Sequence, residues 1–137
     1  MMANSQNVLV EVQDLQVYFY LHEGVVRAVD GVSFQVRQGQ TLGVIGESGS
    51  GKSVSAQSMM GIVPSPPAKQ IGGKILMHLS ENGAGYRVVN LAALPPKGEE
   101  FRRIRGKEIG MIFQEPMTSF SPVHTICLLY TSDAADE

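Results

Sequence analysis

The chain has 137 residues, 43% of them hydrophobic and 18% charged, a balance that excludes a disordered polypeptide. Eleven basic residues against thirteen acidic ones give a net charge of −2, so no bulk field recruits nucleic acid. The single Cys127 excludes an internal disulfide framework, no apolar run reaches the roughly 18 residues of a membrane helix, and residues 1–7 carry no secretory signal pattern.

In chain order, Val8–Leu21 is rich in β-branched and aromatic residues and reads as a strand. His22-Glu23-Gly24 is a turn signal. Val25–Val29 reads as a short strand, Asp30-Gly31 as a tight turn, and Val32–Arg37 as a third strand with Val32, Phe34 and Val36 on one face. These three strands predict an antiparallel sheet over about residues 8–40.

Thr41–Ile45 is a short apolar run without alternation, as expected of a strand covered on both faces. A Gly/Ser loop follows, then Lys52–Met60 as a helix with Val54, Met59 and Met60 towards its buried side. Pro64, Pro66 and Pro67 end it. Ile71–Leu79 and Gly85–Leu91 read as strands around a loop at residues 80–84. Lys97–Arg105 is a polar helical stretch with Phe101 and Ile104 on one face, and Glu108–Phe113 a further strand.

Gly46-Glu47-Ser48-Gly49-Ser50-Gly51-Lys52-Ser53 matches the G-x-x-x-x-G-K-[ST] phosphate-loop pattern, set between an expected strand and an expected helix. The residue types follow from the chemistry. Glycine at 49 and 51 lets phosphate oxygens approach the backbone, and the N–H groups of Gly49–Ser53 can form a concave anion nest. A helix starting near Gly51 adds its positive dipole end, beside Val54. Lys52 brings a mobile point charge to the β- and γ-phosphates, and the Ser53 hydroxyl is the expected Mg²⁺ ligand. Glu47 and Ser48 occupy free positions of the pattern. The pattern alone does not separate kinases, GTPases, helicases and transport ATPases.

Two further features narrow the choice. An antiparallel region of about 40 residues precedes the loop, and Gly110–Ser119, containing Phe113-Gln114-Glu115-Pro116, lies about 60 residues after Lys52. From Leu9 to Ile126 the chain resembles the N-terminal half of the ATP-binding subunit of an ABC transporter. Gly43–Ser53, Phe113–Ser119 and Ser119-Phe120-Ser121-Pro122 are most similar to the dipeptide/oligopeptide and nickel importer branch. The resemblance implies an α/β fold: a truncated P-loop NTPase core with an N-terminal antiparallel β subdomain, residues 1–126 forming a partial nucleotide-binding domain. It implies ATP and Mg²⁺ as ligands. Phe19 would stack on adenine, although Tyr18 and Tyr20 flank it and residue type alone leaves all three as strand core. Gln114 would correspond to the Q-loop glutamine, reaching Mg²⁺ and the attacking water. Implied partners are transmembrane permease subunits, a second ATP-binding subunit and, indirectly, a solute-binding protein, at the cytoplasmic face of the cell membrane.

The family's signature motif, Walker B strand and switch histidine do not occur in these 137 residues. The expectation is therefore an ATP hydrolase for the parent protein and no hydrolysis by this chain alone. A nickel or other solute, or a non-catalytic nucleotide-binding fragment, are the alternatives. Arg102, Arg103, Arg105 and Lys107 read as a solvated basic face. His22, His78 and His124 are too scattered for a metal site. Finally, Cys127–Glu137 resembles the conceptual translation of a sequencing adapter rather than a natural tail. Without its three acids, eleven basic residues face ten acidic ones and the charge becomes +1.

Overall fold

A computed structural model describes residues 8–81 and 85–114. Four antiparallel strands form one sheet in the order β2-β1-β3-β4, with β1 Val8–Leu21, β2 Gly24–Arg37, β3 Ala68–Glu81 and β4 Gly85–Asn90. The first two strands make a hairpin around His22-Glu23, with Leu21 paired to Gly24 and Phe19 to Val26. The chain then leaves the sheet, carries the phosphate loop and α1 (Lys52–Met59), and returns as β3 on the other side of β1. The sheet thus extends past residues 8–40 to take in β3 and β4.

The expected pair of short strands with a turn at Asp30-Gly31 is one continuous strand, β2. The turn signal marks a bulge instead: Leu15 pairs with Val32 and Gln16 with Asp30, so Gly31 is the extra residue. A matching bulge lies in β1 at Asp14, whose φ is +46. It changes the phase of the strand, so that Val10 and Val12 are buried before it and Leu15 and Val17 after it. The displaced Asp14 N–H is recaptured by Ser33 Oγ at 2.8 Å. Gly73 on β3 must be glycine here. Its φ is +86, and a Cβ would sit 2.4 Å from the Asp14 carbonyl oxygen.

One face of the sheet carries the core. Val12, Leu15 and Val17 of β1 meet Ile75 and Met77 of β3 and Val89 of β4. A 3-10 turn, Leu91–Ala93, is capped by Asn90, whose side-chain oxygen accepts from the N–H groups of Ala92 and Ile75 at 3.2 Å. It leads to α2 (Glu99–Lys107), which packs Phe101 and Ile104 into the core as their spacing predicts. Glu99 and Glu100 in its first turn and Arg105 and Lys107 in its last complement the helix dipole.

Two expectations fail. Thr41–Ile45 and Glu108–Phe113 form no strand, and Leu42, Val44, Ile45, Ile112 and Phe113 are exposed. A strand covered on both faces needs neighbours for its N–H and C=O groups and layers above and below it. Among the described residues no strand lies beside either segment. No helix of the described residues is long and apolar enough to cross a membrane.

Candidate functional site

The hairpin and the phosphate loop face each other across a cavity of about 520 Å³. One wall is Phe19 of β1 with Val26, Arg27 and Ala28 of β2. The other is residues 48–54 with Gln114. The eleven sequence-derived site residues thus fall into two groups. Phe19, Ser48, Gly49, Ser50, Gly51, Lys52, Ser53, Val54 and Gln114 line one cavity, while Gly46 and Glu47 lie behind it at the root of the loop.

The loop is shaped by its own backbone. Ser50 N–H donates to the Glu47 carbonyl at 3.2 Å, closing a turn. Lys52 Nζ donates to the carbonyls of Gly46 and Glu47, each at 2.6 Å, and to Ser50 Oγ at 3.1 Å. Its ammonium therefore stands over the loop that the sequence pattern assigns to phosphate. Gly51 caps α1 with φ +87 and no side-chain cap, and the first-turn N–H groups of α1 have no intrahelical partner. Glycine is required there for a second reason. The Ala28 carbonyl oxygen occupies the place of a side chain, 2.2 Å from where a Cβ would be. Above Gly49 the space is open, since a Cβ would meet nothing within 4 Å. Open space over the loop, free N–H groups and a mobile cation fit a polyphosphate, and the Ser53 hydroxyl and Gln114 amide are oxygen donors of the kind Mg²⁺ takes.

The structure separates the three adjacent aromatics. Tyr18 donates its hydroxyl to Asp30 Oδ1 at 2.7 Å, and the Arg27 guanidinium lies 5.5 Å from its ring centre and 3.6 Å from Asp30. The bond to Asp30 holds the phenol above its ordinary pKa, since it favours the protonated form. Tyr20 is half exposed. Phe19 alone of the three lines the cavity. Strand alternation explains this: neighbours along β1 point to opposite faces.

Val26, Arg27 and Ala28 were not sequence candidates. Counting back from the two-residue turn places Val26 opposite Phe19, so that signal was available. The place of Ala28 depends on a bulge that composition does not reveal.

Elsewhere the basic stretch is mostly paired. Arg103 meets Glu99 at 2.5 Å, Arg87 meets Glu100, Arg105 donates to the Pro96 carbonyl and lies over the Phe101 ring, and Lys107 stands 3.7 Å from Glu108. Among the described residues no cluster of three or more His, Cys, Asp or Glu could hold a metal ion. His124 and Cys127–Glu137 lie outside the described residues.

Comparison with known proteins agrees with this geometry. The ABC transporter family profile matches residues 29–127. A probable peptide ABC transporter ATP-binding protein of Sinorhizobium fredii is 43% identical over 120 residues, covering 88% of this chain and 32% of that protein. The oligopeptide transport ATP-binding protein of Bacillus subtilis is 43% identical over 114 residues, 83% of this chain and 29% of that protein. The dipeptide transport ATP-binding protein of the same organism is 43% identical over 118 residues, 86% and 32%. The chain spans about a third of the length of these curated relatives.

Proposed function

The chain belongs to the ABC transporter family, and from that premise we propose that it is the ATP-binding portion of the ATPase subunit of a di- or oligopeptide importer. The observation that carries the reading is the single cavity that joins Phe19, the phosphate loop and Gln114. The relatives named as peptide transport ATP-binding proteins support the substrate class.

In this reading Phe19 stacks on adenine, and Val26 flanks it. The N–H groups of Gly49–Ser53 and the Lys52 ammonium hold the β- and γ-phosphates. Gly46 and Glu47 carry the carbonyls that locate the ammonium before nucleotide arrives. Ser53 and Gln114 hold Mg²⁺, which would neutralise charge on the phosphate oxygens. Gln114 also ties the site to the residues that follow it in sequence, which would meet the permease partner. A second ATP-binding subunit completes the site, and a solute-binding protein delivers the cargo. The assembly sits at the cytoplasmic face of the cell membrane, with this subunit peripheral to it.

These 137 residues carry no Walker B carboxylates and no signature motif. The chain alone should bind Mg-ATP weakly and release no phosphate above blank. The full-length subunit, assembled with its permease, should hydrolyse ATP faster when the solute-binding protein is loaded with di- or oligopeptide. Stimulation by nickel and not by peptide would move the assignment to the nickel branch. Phosphate release by the chain alone that vanishes in Lys52→Ala would show that its residues suffice for hydrolysis.

A further inference from the structure

We propose that the β-bulge at Ala28 is a positioning element for the nucleotide, setting the separation between the base wall and the phosphate cradle. The inference rests on the reading of Phe19 as the base-stacking residue.

Val17 pairs with Val29 and Tyr18 with Arg27, so Ala28 has no partner across the β1–β2 ladder. A residue freed from its ladder can turn its backbone elsewhere, and bulges are the usual means of re-aiming a strand next to a site. Here the freed carbonyl abuts Gly51, at the N-terminus of α1, and leaves no room for a Cβ. The Val29 side chain closes on the same glycine, 3.4 Å from the Cβ position. The two walls of the cavity thus meet backbone against backbone. Two residues along β2 from this contact, Val26 pairs with Phe19. The contact at Ala28 and the pairing at Val26 together place the ring relative to Lys52 and the α1 terminus. The bulge supplies distance, not chemistry. A base and its phosphates are tethered through one ribose, so a wall displaced by the length of one residue makes the two ends harder to engage together.

Deleting Ala28 separates this role from general stability. Pairing then runs without a shift from Gln16–Asp30 through Tyr18–Arg27 to Leu21–Gly24, so the hairpin is kept while the contact with Gly51 is lost. The full-length subunit is titrated with Mg-ATP and with Mg-tripolyphosphate, and the preference for ATP reports the base. Phe19→Ala calibrates that preference and should reduce it about 5- to 150-fold. Deletion of Ala28 should remove a comparable part of the preference and leave tripolyphosphate affinity unchanged. Ala28→Val, whose branched side chain favours the regular ladder, should shift it in the same direction by less. Ala28→Gly is the conservative control that keeps the bulge. An intact preference after deletion overturns the inference, as does equal weakening of both ligands, which is the mark of a purely structural residue. If the deletion variant does not fold, equal preferences in Ala28→Val and Ala28→Gly overturn it. If Phe19→Ala leaves the preference intact, the reading of Phe19 fails instead.

Discussion

Leu15 and Ile75, in the sheet, are fully buried, whereas Ile45 and Ile112, on the segments that frame the phosphate loop, are 99% and 94% exposed. All four are large aliphatic residues. The difference lies in what each segment needs from the rest of the chain. β1 and β2 are joined by a two-residue turn, and β3 and β4 are neighbours in sequence, so most of the sheet closes over short loops. Thr41–Ile45 reads as a strand covered on both faces and Glu108–Phe113 as a further strand, and neither has a neighbouring strand close in sequence to pair with or cover it. Stability therefore concentrates in the sheet, and the proposed chemistry concentrates beside it, on a loop that makes its own turn.

Substitution in the core is the strongest way to test that division. Ile75→Ala should destabilise the protein by about 2–5 kcal/mol, measured by denaturant melting, because it opens a cavity among Leu15, Val12 and Met77. Nucleotide affinity of the fraction that stays folded should not change. A small loss would mean the sheet is not the stable part.

The converse substitution is Lys52→Ala in the full-length subunit. Removing the ammonium leaves phosphate charge uncompensated, at a cost of about 10²–10³ in turnover. The melting temperature should hold, since Lys52 bonds only to the loop itself. Wild-type turnover would refute the phosphate-loop assignment.

Ile45→Ser sharpens the comparison further. In the 137-residue chain an exposed side chain is exchanged, and stability should move by no more than about 0.5 kcal/mol. In the full-length protein, a strand buried on both faces would lose about 1.5–3 kcal/mol. Equal small effects in both would mean that residues 41–45 are a surface segment.

The same division sets what the sequence could tell. The hairpin was legible because its alternation and its turn are local, and α2 because Phe101 and Ile104 share a helical face. The loop from Gly46 to Ser53 was legible because its backbone demands glycine at fixed offsets. The phase of β1 was not, because Asp14 shifts it by a bulge that needs Gly73 from a strand about 60 residues away. That shift decides the place of Phe19, which residue type alone left equal to Tyr18 and Tyr20.

Gln114 lines the cavity from the far end of the chain's described part. Gln114→Ala, assembled with the permease, should lower transport-coupled ATPase about fivefold or more while changing ATP affinity less. An unchanged coupled rate with much weaker ATP binding would make Gln114 a simple binding residue.

The smallest effect concerns Tyr18, the neighbour of Phe19 on the opposite face of β1. Its phenol is held above the usual tyrosine pKa, first by its bond to Asp30, then by burial and the Asp30 charge, with Arg27 opposing. The raised value means the native state favours the protonated form. That contribution to stability is complete below the unfolded-state pKa and fades as pH rises through the higher native one. Asp30→Ala should bring the phenol back towards its ordinary range, read by ultraviolet absorbance against a Tyr18→Phe control. It should leave the preference for ATP over tripolyphosphate unchanged, because Tyr18 points away from the cavity that Phe19 lines. Should that preference fall with Asp30→Ala, the two faces of β1 are coupled, and the base wall includes more of the hairpin than Phe19 and Val26.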